Sequence, residues 1–372
     1  MNAPAASASA APFTADRRAG LHALAAALRG EAPAEQQWLD VLWLANTGLV
    51  TPRLRAALAR SGGLDQTPAE VRGFLDEVET RNFERNRRLF AQLNDAVAAL
   101  NAAGIEPTVL KGAAIWSTLG RPAAFDRMLN DLDLLVRPTE AQRAVEVLET
   151  AGFPVHSRYP GPEVHVVAEL GRPTDVGFID LHQRPPGPPG VVEMAGLHRH
   201  SRRVEHDGIA YRVPCPAMQV FLLVLHDQFH DGDYWRGGVD LRHLLDIADL
   251  AAGPDGVDWD LVRTLCRTSL VRHAMEAQLA AAGALVGAAV PRPTAWGRLQ
   301  HRRRLAQYHW PAAAQPLAFA AMALEAPFLM AHRLADRADR RRLFGKARAA
   351  VPVGERVERL RHIFAGVAAG KI

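Results

Sequence analysis

Cysteine is nearly absent. The 372 residues carry two, Cys215 and Cys266, far apart and in no CxxC or Cys/His spacing. That excludes a disulfide framework and a thiolate zinc site, and it points to a reducing, cytoplasmic setting. Long apolar runs are missing as well. The longest, from Leu279 to Val290, is interrupted by glycines and falls short of the ~20 residues a membrane helix needs, so no membrane partner is expected. Met1 to Pro12 has neither a basic start nor an apolar core, so it does not read as a secretory signal; residues 1–16 are expected to be a disordered tail. Charge of one sign is also scarce, with 44 basic against 40 acidic side chains and a net charge of +4. With no basic, aromatic-interleaved stripe either, nucleic acid is not the expected partner.

The rarest residue is lysine, which occurs only at Lys111, Lys346 and Lys371 while arginine supplies the other basic residues. Such usage fits a high-GC genome. A lysine kept inside the chain against that drift is expected to be needed as a compact ammonium, which a planar guanidinium does not replace. Lys111 sits inside a motif, whereas the other two lie in the charged C-terminal tail.

Four stretches differ in texture. After the tail, residues 17–106 read as a helical block, with Leu21, Leu24 and Leu28, then Leu39, Leu42 and Trp43, at helical spacing. Thr67-Pro68-Ala69-Glu70 looks like an N-cap opening a long amphipathic helix from about Pro68 to Ala103. Residues 107–214 alternate short β-branched runs with helices: strands at 108–110 and 132–136, helices at 112–119 and 139–151, then strand candidates at 153–156, 163–169, 176–182 and 209–213. The proline- and glycine-rich run from Pro185 to Gly190 reads as a loop. Residues 215–372 return to helix, with segments starting near Pro216, Val239, Asp258 and Pro311. The expected class is α+β: a small mixed sheet flanked by N- and C-terminal helical blocks.

Chemistry concentrates in the central stretch. Asn130-Asp131-Leu132-Asp133-Leu134-Leu135-Val136 places two aspartates at i and i+2 on a strand. Strand side chains alternate, so both carboxylates share a face while Leu132 and Leu134 turn into the core. Paired carboxylates repel unless a cation lies between them, which points to a divalent metal such as Mg²⁺. Upstream, Lys111-Gly112-Ala113 runs from a strand into a helix, where a glycine, free helix N–H groups and an ammonium could meet a phosphate. Downstream, Phe178-Ile179-Asp180-Leu181-His182 offers a third carboxylate on another strand. Three such carboxylates beside a glycine-opened helix are the elements of metal-assisted phosphoryl or nucleotidyl transfer.

Weaker candidates surround these. Arg127 could bind a phosphate or fix its loop through an ion pair. His182 shares a strand face with Asp180 and could touch substrate or bond within the sheet. His226 and His230, four apart, could ligate zinc, but HEXXH is absent and a solvated helix end is the expectation. Trp235 reads as packing between helices, and the basic runs at 301–304 and 337–342 read as solvated faces.

The order Leu-Lys-Gly-Ala-Ala, Arg127, Asn-Asp-Leu-Asp-Leu-Leu-Val-Arg-Pro, Ala-Gly-Phe and Ile-Asp-Leu-His resembles the bacterial nucleotidyltransferase-like proteins of the polymerase-β superfamily. The subgroup is the uncharacterised nucleotidyltransferases, some of which accompany peptide natural-product clusters. The resemblance is specific from about Arg85 to His182 and weaker from Ala217 to Ala251, where His226 and Leu244-Leu245-Asp246-Ile247 match. It implies a polymerase-β-type core in which Asp131, Asp133 and Asp180 are catalytic metal ligands for two Mg²⁺ ions, with Mn²⁺ able to substitute. Lys111, Gly112, Arg127 and His182 then fall at the nucleotide. The implied reaction moves an NMP from an NTP, ATP among them, to an unidentified small-molecule, peptide or protein acceptor, and releases pyrophosphate. One departure stands out: the superfamily's usual Gly-Ser is Gly112-Ala113 here. It favours the alternative, a non-catalytic nucleotide- or peptide-binding module serving a partner protein in natural-product biosynthesis.

Overall fold

The computed structural model describes residues 17–120, 126–159, 161, 164–187 and 191–310, with 316, 318–320, 323 and 324. The expected N-terminal tail, the chain just after Gly120, part of the Pro185–Gly190 loop, most of the helix expected from Pro311 and the 337–342 basic run lie outside the described residues; of that helix, 316, 318–320, 323 and 324 are described and helical.

Helices come first: α1 (Arg17–Leu28), α2 (Trp38–Thr47), α3 (Thr51–Ser61) and the 34-residue α4 (Ala69–Ala102). The expected Thr67 cap does not form. Pro68 occupies the cap position with no side-chain bond, and the Thr67 hydroxyl instead donates to the Gly63 carbonyl at 3.0 Å. The central region supplies β1 (Thr108–Val109), α5 (Lys111–Leu119), β2 (Asp131–Leu135), α6 (Ala141–Thr150), β3 (Val155–Arg158), β4 (Val166–Leu170) and β5 (Phe178–His182). After α7 (Met194–Arg199) come β6 (Ser201–His206) and β7 (Ile209–Pro214). The sequence reading missed β6. Its signal is Asp207-Gly208, both at positive φ (51° and 77°) between the paired strands, which is the preference of a tight hairpin turn.

One seven-stranded sheet results, in the order β3-β4-β5-β2-β1-β7-β6. β2 runs parallel to β5 and antiparallel to β1, and β1 runs parallel to β7. This is the expected α+β class with a mixed sheet and flanking helices. Alternation then divides the two faces. Leu132, Leu134, Ile179 and Leu181, all fully buried, join Leu93 and Val97 of α4 and Leu148 of α6 in one apolar cluster. The opposite face of β2 and β5 is left to Asp131, Asp133, Asp180 and His182.

The chain closes with α8 (Pro216–Leu225), a π-turn (His226–His230), α9 (Asp233–Arg236), α10 (Leu241–Ala252), α11 (Trp259–Leu265), α12 (Ser269–Val286) and α13 (Ala295–His309). Residues from both ends of the chain share a second apolar cluster: Leu21, Leu24, Leu54 and Leu58 lie with Phe221, Leu244 and Leu279. Arg53 of α3 adds polar links to the same assembly, pairing with Asp126 at 3.3 Å, Asp246 at 3.5 Å and also Asp249. The 301–304 run is not a solvated face. Arg304 is buried and donates to Gln278 at 3.1 Å and to Gln228. Trp235 packs with Phe229 and Tyr234, ring centroids 6.2 and 5.5 Å away. No helix among the described residues is long and apolar enough to cross a membrane.

Candidate active site

Polar side chains of α4 set the ends of the two acidic strands. Arg85 donates to the carbonyls of Leu129 (2.9 Å) and Asn130 (3.3 Å), and Asn86 donates to that of Arg127 (2.8 Å), fixing the approach to β2. Gln92 and Arg88 do the same ahead of β5, at the carbonyls of Gly177 (2.9 Å) and Thr174 (2.6 Å). Gly177 is required where the strands converge, because a Cβ there would lie 2.4 Å from the Asn130 carbonyl oxygen.

The parallel register pairs Asp131 with Phe178, Asp133 with Asp180 and Leu135 with His182. Residues opposite one another on neighbouring strands point to the same face. Asp131, Asp133 and Asp180 therefore stand on one face of two adjacent strands, and Asp133, Asp180 and His182 offer ligand atoms within 4.8 Å of one another. Lys111 completes the group, its Nζ 2.7 Å from Asp133 Oδ1. It does not run out to solvent, and its backbone sits at φ 47°, a left-handed conformation uncommon for a side chain of this size. His182 is buried, with Nε2 2.9 Å from the same Asp133 oxygen.

These contacts decide the protonation states. Burial works against the Lys111 ammonium, but the carboxylates of Asp133, Asp131 and Asp180 outweigh it and hold its pKa above the usual lysine range. Burial also disfavours the Asp133 carboxylate, yet Lys111 and His182 hold its carboxyl well below the ordinary range. Asp180 goes the other way: burial first, then repulsion from Asp133 and Asp131, push it up to about 8. Two of the three carboxylates thus have opposite tendencies, one held as an anion and one resisting ionisation.

The donor set suits Mg²⁺. Its ligands are carboxylate oxygens on one face, and the repulsion that raises Asp180 is what a bound cation relieves. The Lys111 and His182 contacts both fall on Oδ1 of Asp133, which leaves Oδ2 for an ion.

Two of the sequence candidates, Arg127 and Gly112, meet in the structure. Arg127 is buried and spends its guanidinium on Asp246, with Nε and Nη2 each 2.8 Å from a carboxylate oxygen; of the two readings of Arg127, the structure shows the ion pair. The Cβ side of Gly112 faces Arg127. A Cβ there would lie 2.3 Å from Arg127 Nη1 and 2.9 Å from Leu129 Cδ2, so the glycine makes room for the ion pair. Gly112→Ala is accordingly expected to displace Arg127 from Asp246 and to cost about 3 kcal/mol, the scale of a broken buried pair, read as a lowered urea midpoint.

Other residues near the site carried no local sequence signal. The His165 ring stacks on His182 at 5.8 Å between centroids, although the segment that holds it reads only as a strand. His243 donates from Nδ1 to Asp227 Oδ1 at 2.6 Å. His226 and His230 lie in the π-turn; His226 is only 16% exposed at its side chain, whereas His230 is exposed.

Comparison with known proteins places these observations. No match is found among curated proteins. One solved structure, that of the antibiotic-resistance factor ANT(2'')-Ia, is 16% identical over 46% of this chain and 86% of that one, with a TM-score of 0.31. The model of the uncharacterised nucleotidyltransferase family matches residues 34–287, a span that holds the acidic strands, most of the N-terminal helices and the helices through α12. That match takes in far more of the helical flanks than the motifs alone did, and the chain belongs to the uncharacterised nucleotidyltransferase family.

Proposed function

We propose that the protein is an Mg²⁺-dependent nucleotidyltransferase that moves an NMP from an NTP to a nucleophile on an unidentified acceptor. The observation that supports this most is the β2–β5 register, which sets Asp131, Asp133 and Asp180 on one face with Lys111 against Asp133. The three carboxylates would hold the metal, as two ions by the family pattern, with Mn²⁺ able to substitute. When bound, the metal supplies neutralisation of triphosphate charge and acidifies the attacking hydroxyl.

The chain's own groups do the rest. Asp180, opposite Asp133 in the register, accepts the proton of the acceptor hydroxyl as the new oxygen–phosphorus bond forms, the cation beside it keeping it ionised. The bond between the α-phosphorus and the bridging oxygen breaks, and pyrophosphate leaves. The Lys111 ammonium faces the charge that grows on the pyrophosphate. His182 acts as a positioning residue by holding Asp133 through Oδ1. Arg127 and Gly112 shape the floor beneath Lys111 and do not contact phosphate in this scheme. A cytoplasmic setting belongs to the proposal and is supported by two free cysteines, Cys215 and Cys266.

A second reading, a non-catalytic nucleotide- or peptide-binding module, is favoured by one observation. Ala113 replaces the superfamily serine and is 1% exposed, so no hydroxyl is available there. Nucleotide-dependent thermal shift, with Mg²⁺ and with EDTA, is expected to show stabilisation only with Mg²⁺. Pyrophosphate release is then expected with an acceptor supplied from the protein's own gene cluster. Binding without pyrophosphate from any NTP and acceptor would favour the module.

A further inference from the structure

Beyond the carboxylates, imidazoles continue in a row across the roof of the site. His182 stacks on His165, whose ring meets that of His230 edge-on at 4.4 Å between centroids. His230 lies 5.0 Å from His226, which meets His243 at 6.1 Å. These rings come from β5, the segment before β4, the π-turn and α10, so four separate parts of the chain converge on one line.

The π-turn explains the spacing of the middle members. Its extra residue is closed by a bond from the Asp231 amide to the His226 carbonyl at 3.0 Å, and such turns recur where a helix must aim side chains at a function. Here it brings His226, His230 and Asp231 together so that one ligand atom from each lies within 4.8 Å of the others. His226 Nδ1 is 3.2 Å from Asp231 Oδ2.

The donor type differs from that of the acidic site. Imidazole with a single carboxylate suits Zn²⁺ and its neighbours, whereas an all-carboxylate set suits Mg²⁺.

We propose that His226, His230 and Asp231 bind one transition-metal ion of the zinc class, with His165 closing the site from the β4 side. The site is distinct in chemistry from the carboxylate site. Its ion ties the π-turn to the segment before β4, across the face that carries Asp133 and Asp180.

The test uses the full-length, tag-free chain after treatment with a chelator. Co²⁺ is titrated and followed by its visible absorption, and Zn²⁺ binding is followed by calorimetry. One ion per chain is expected to bind the wild type. His230→Ala changes an exposed residue and is expected to weaken binding at least about tenfold, which corresponds to about 1.4 kcal/mol; Asp231→Asn should do likewise. Asp180→Asn, which alters only the carboxylate site, is expected to leave Co²⁺ binding intact. The proposal is overturned if wild type takes up no Co²⁺ or Zn²⁺, if His230→Ala binds as wild type does, or if Asp180→Asn abolishes binding. The last result would put the ion among the aspartates, and none of the three bears on whether NMP transfer occurs.

Discussion

Asp133→Asn and Asp180→Asn are expected to change stability in opposite directions in metal-free buffer, although both remove one carboxylate from the same face. Asp133 is 2% exposed and carries both the Lys111 and the His182 contacts on one oxygen. Neutralising it leaves a buried ammonium short of its main counter-charge, and breaking a buried pair this way costs about 3 kcal/mol or more. Paired aspartates read from sequence alone suggest that Asp133→Asn relieves repulsion and preserves stability. The Lys111 contact reverses that expectation. Asp180 has no comparable partner, and its charge is disfavoured by burial and by Asp133 and Asp131, so Asp180→Asn preserves or raises stability.

The pH dependence follows with its sign. A carboxyl raised from 3.8 to about 8 binds its proton more tightly folded than unfolded. Its stabilising contribution is complete below pH 3.8 and is lost as pH rises towards 8. Wild type without metal should lose stability across that window, and Asp180→Asn should flatten that part of the profile. Denaturant midpoints measured from pH 5 to pH 8 check both statements. Equal destabilisation by the two variants would mean that Asp180 is ionised and paired like Asp133. With Mg²⁺ and NTP present, both variants should lose the ligand-induced rise in melting temperature.

Lys111→Arg is expected to lower pyrophosphate release at least about tenfold, a loss of about 1.4 kcal/mol of transition-state stabilisation, while nucleotide affinity changes much less. The ammonium reaches one carboxylate oxygen from a backbone at φ 47°, in a space bounded by Asp133, Asp131 and Asp180. A planar guanidinium preserves the charge but cannot place a point charge on that oxygen and on a departing phosphate together. An interaction that strengthens with charge on the leaving group appears in kcat before it appears in binding. Wild-type turnover in Lys111→Arg would reduce Lys111 to a structural counter-ion for Asp133. A parallel fall in affinity and turnover would make it a ground-state contact.

The two acidic strands, their faces and their carboxylates were legible from local rules, whereas β6 was not. Period-two alternation in Asp131-Leu132-Asp133-Leu134 separates carboxylates from core on any sheet that buries one face. A lysine retained amid arginine marked Lys111 before any contact was known. The long α4 followed from its periodicity, within a residue or so at each end.

The remaining features depend on partners distant in the chain. Arg127 reads equally well as a phosphate ligand or a loop clamp until Asp246, 119 positions away, supplies its carboxylate. Gly112 looks like a phosphate glycine until that same guanidinium fills the space above it. The pairing of Asp133 with His182 is set by a register between strands, the two residues being 49 positions apart. The histidine row is the extreme case: His165, His182, His226 and His243 have no shared local pattern, and they meet because β4, β5, the π-turn and α10 pack at one end of the sheet. Local pattern specifies which way a side chain faces. What it faces is set by packing between segments far apart in sequence, and pKa, ion pairing and metal-binding capacity all depend on that.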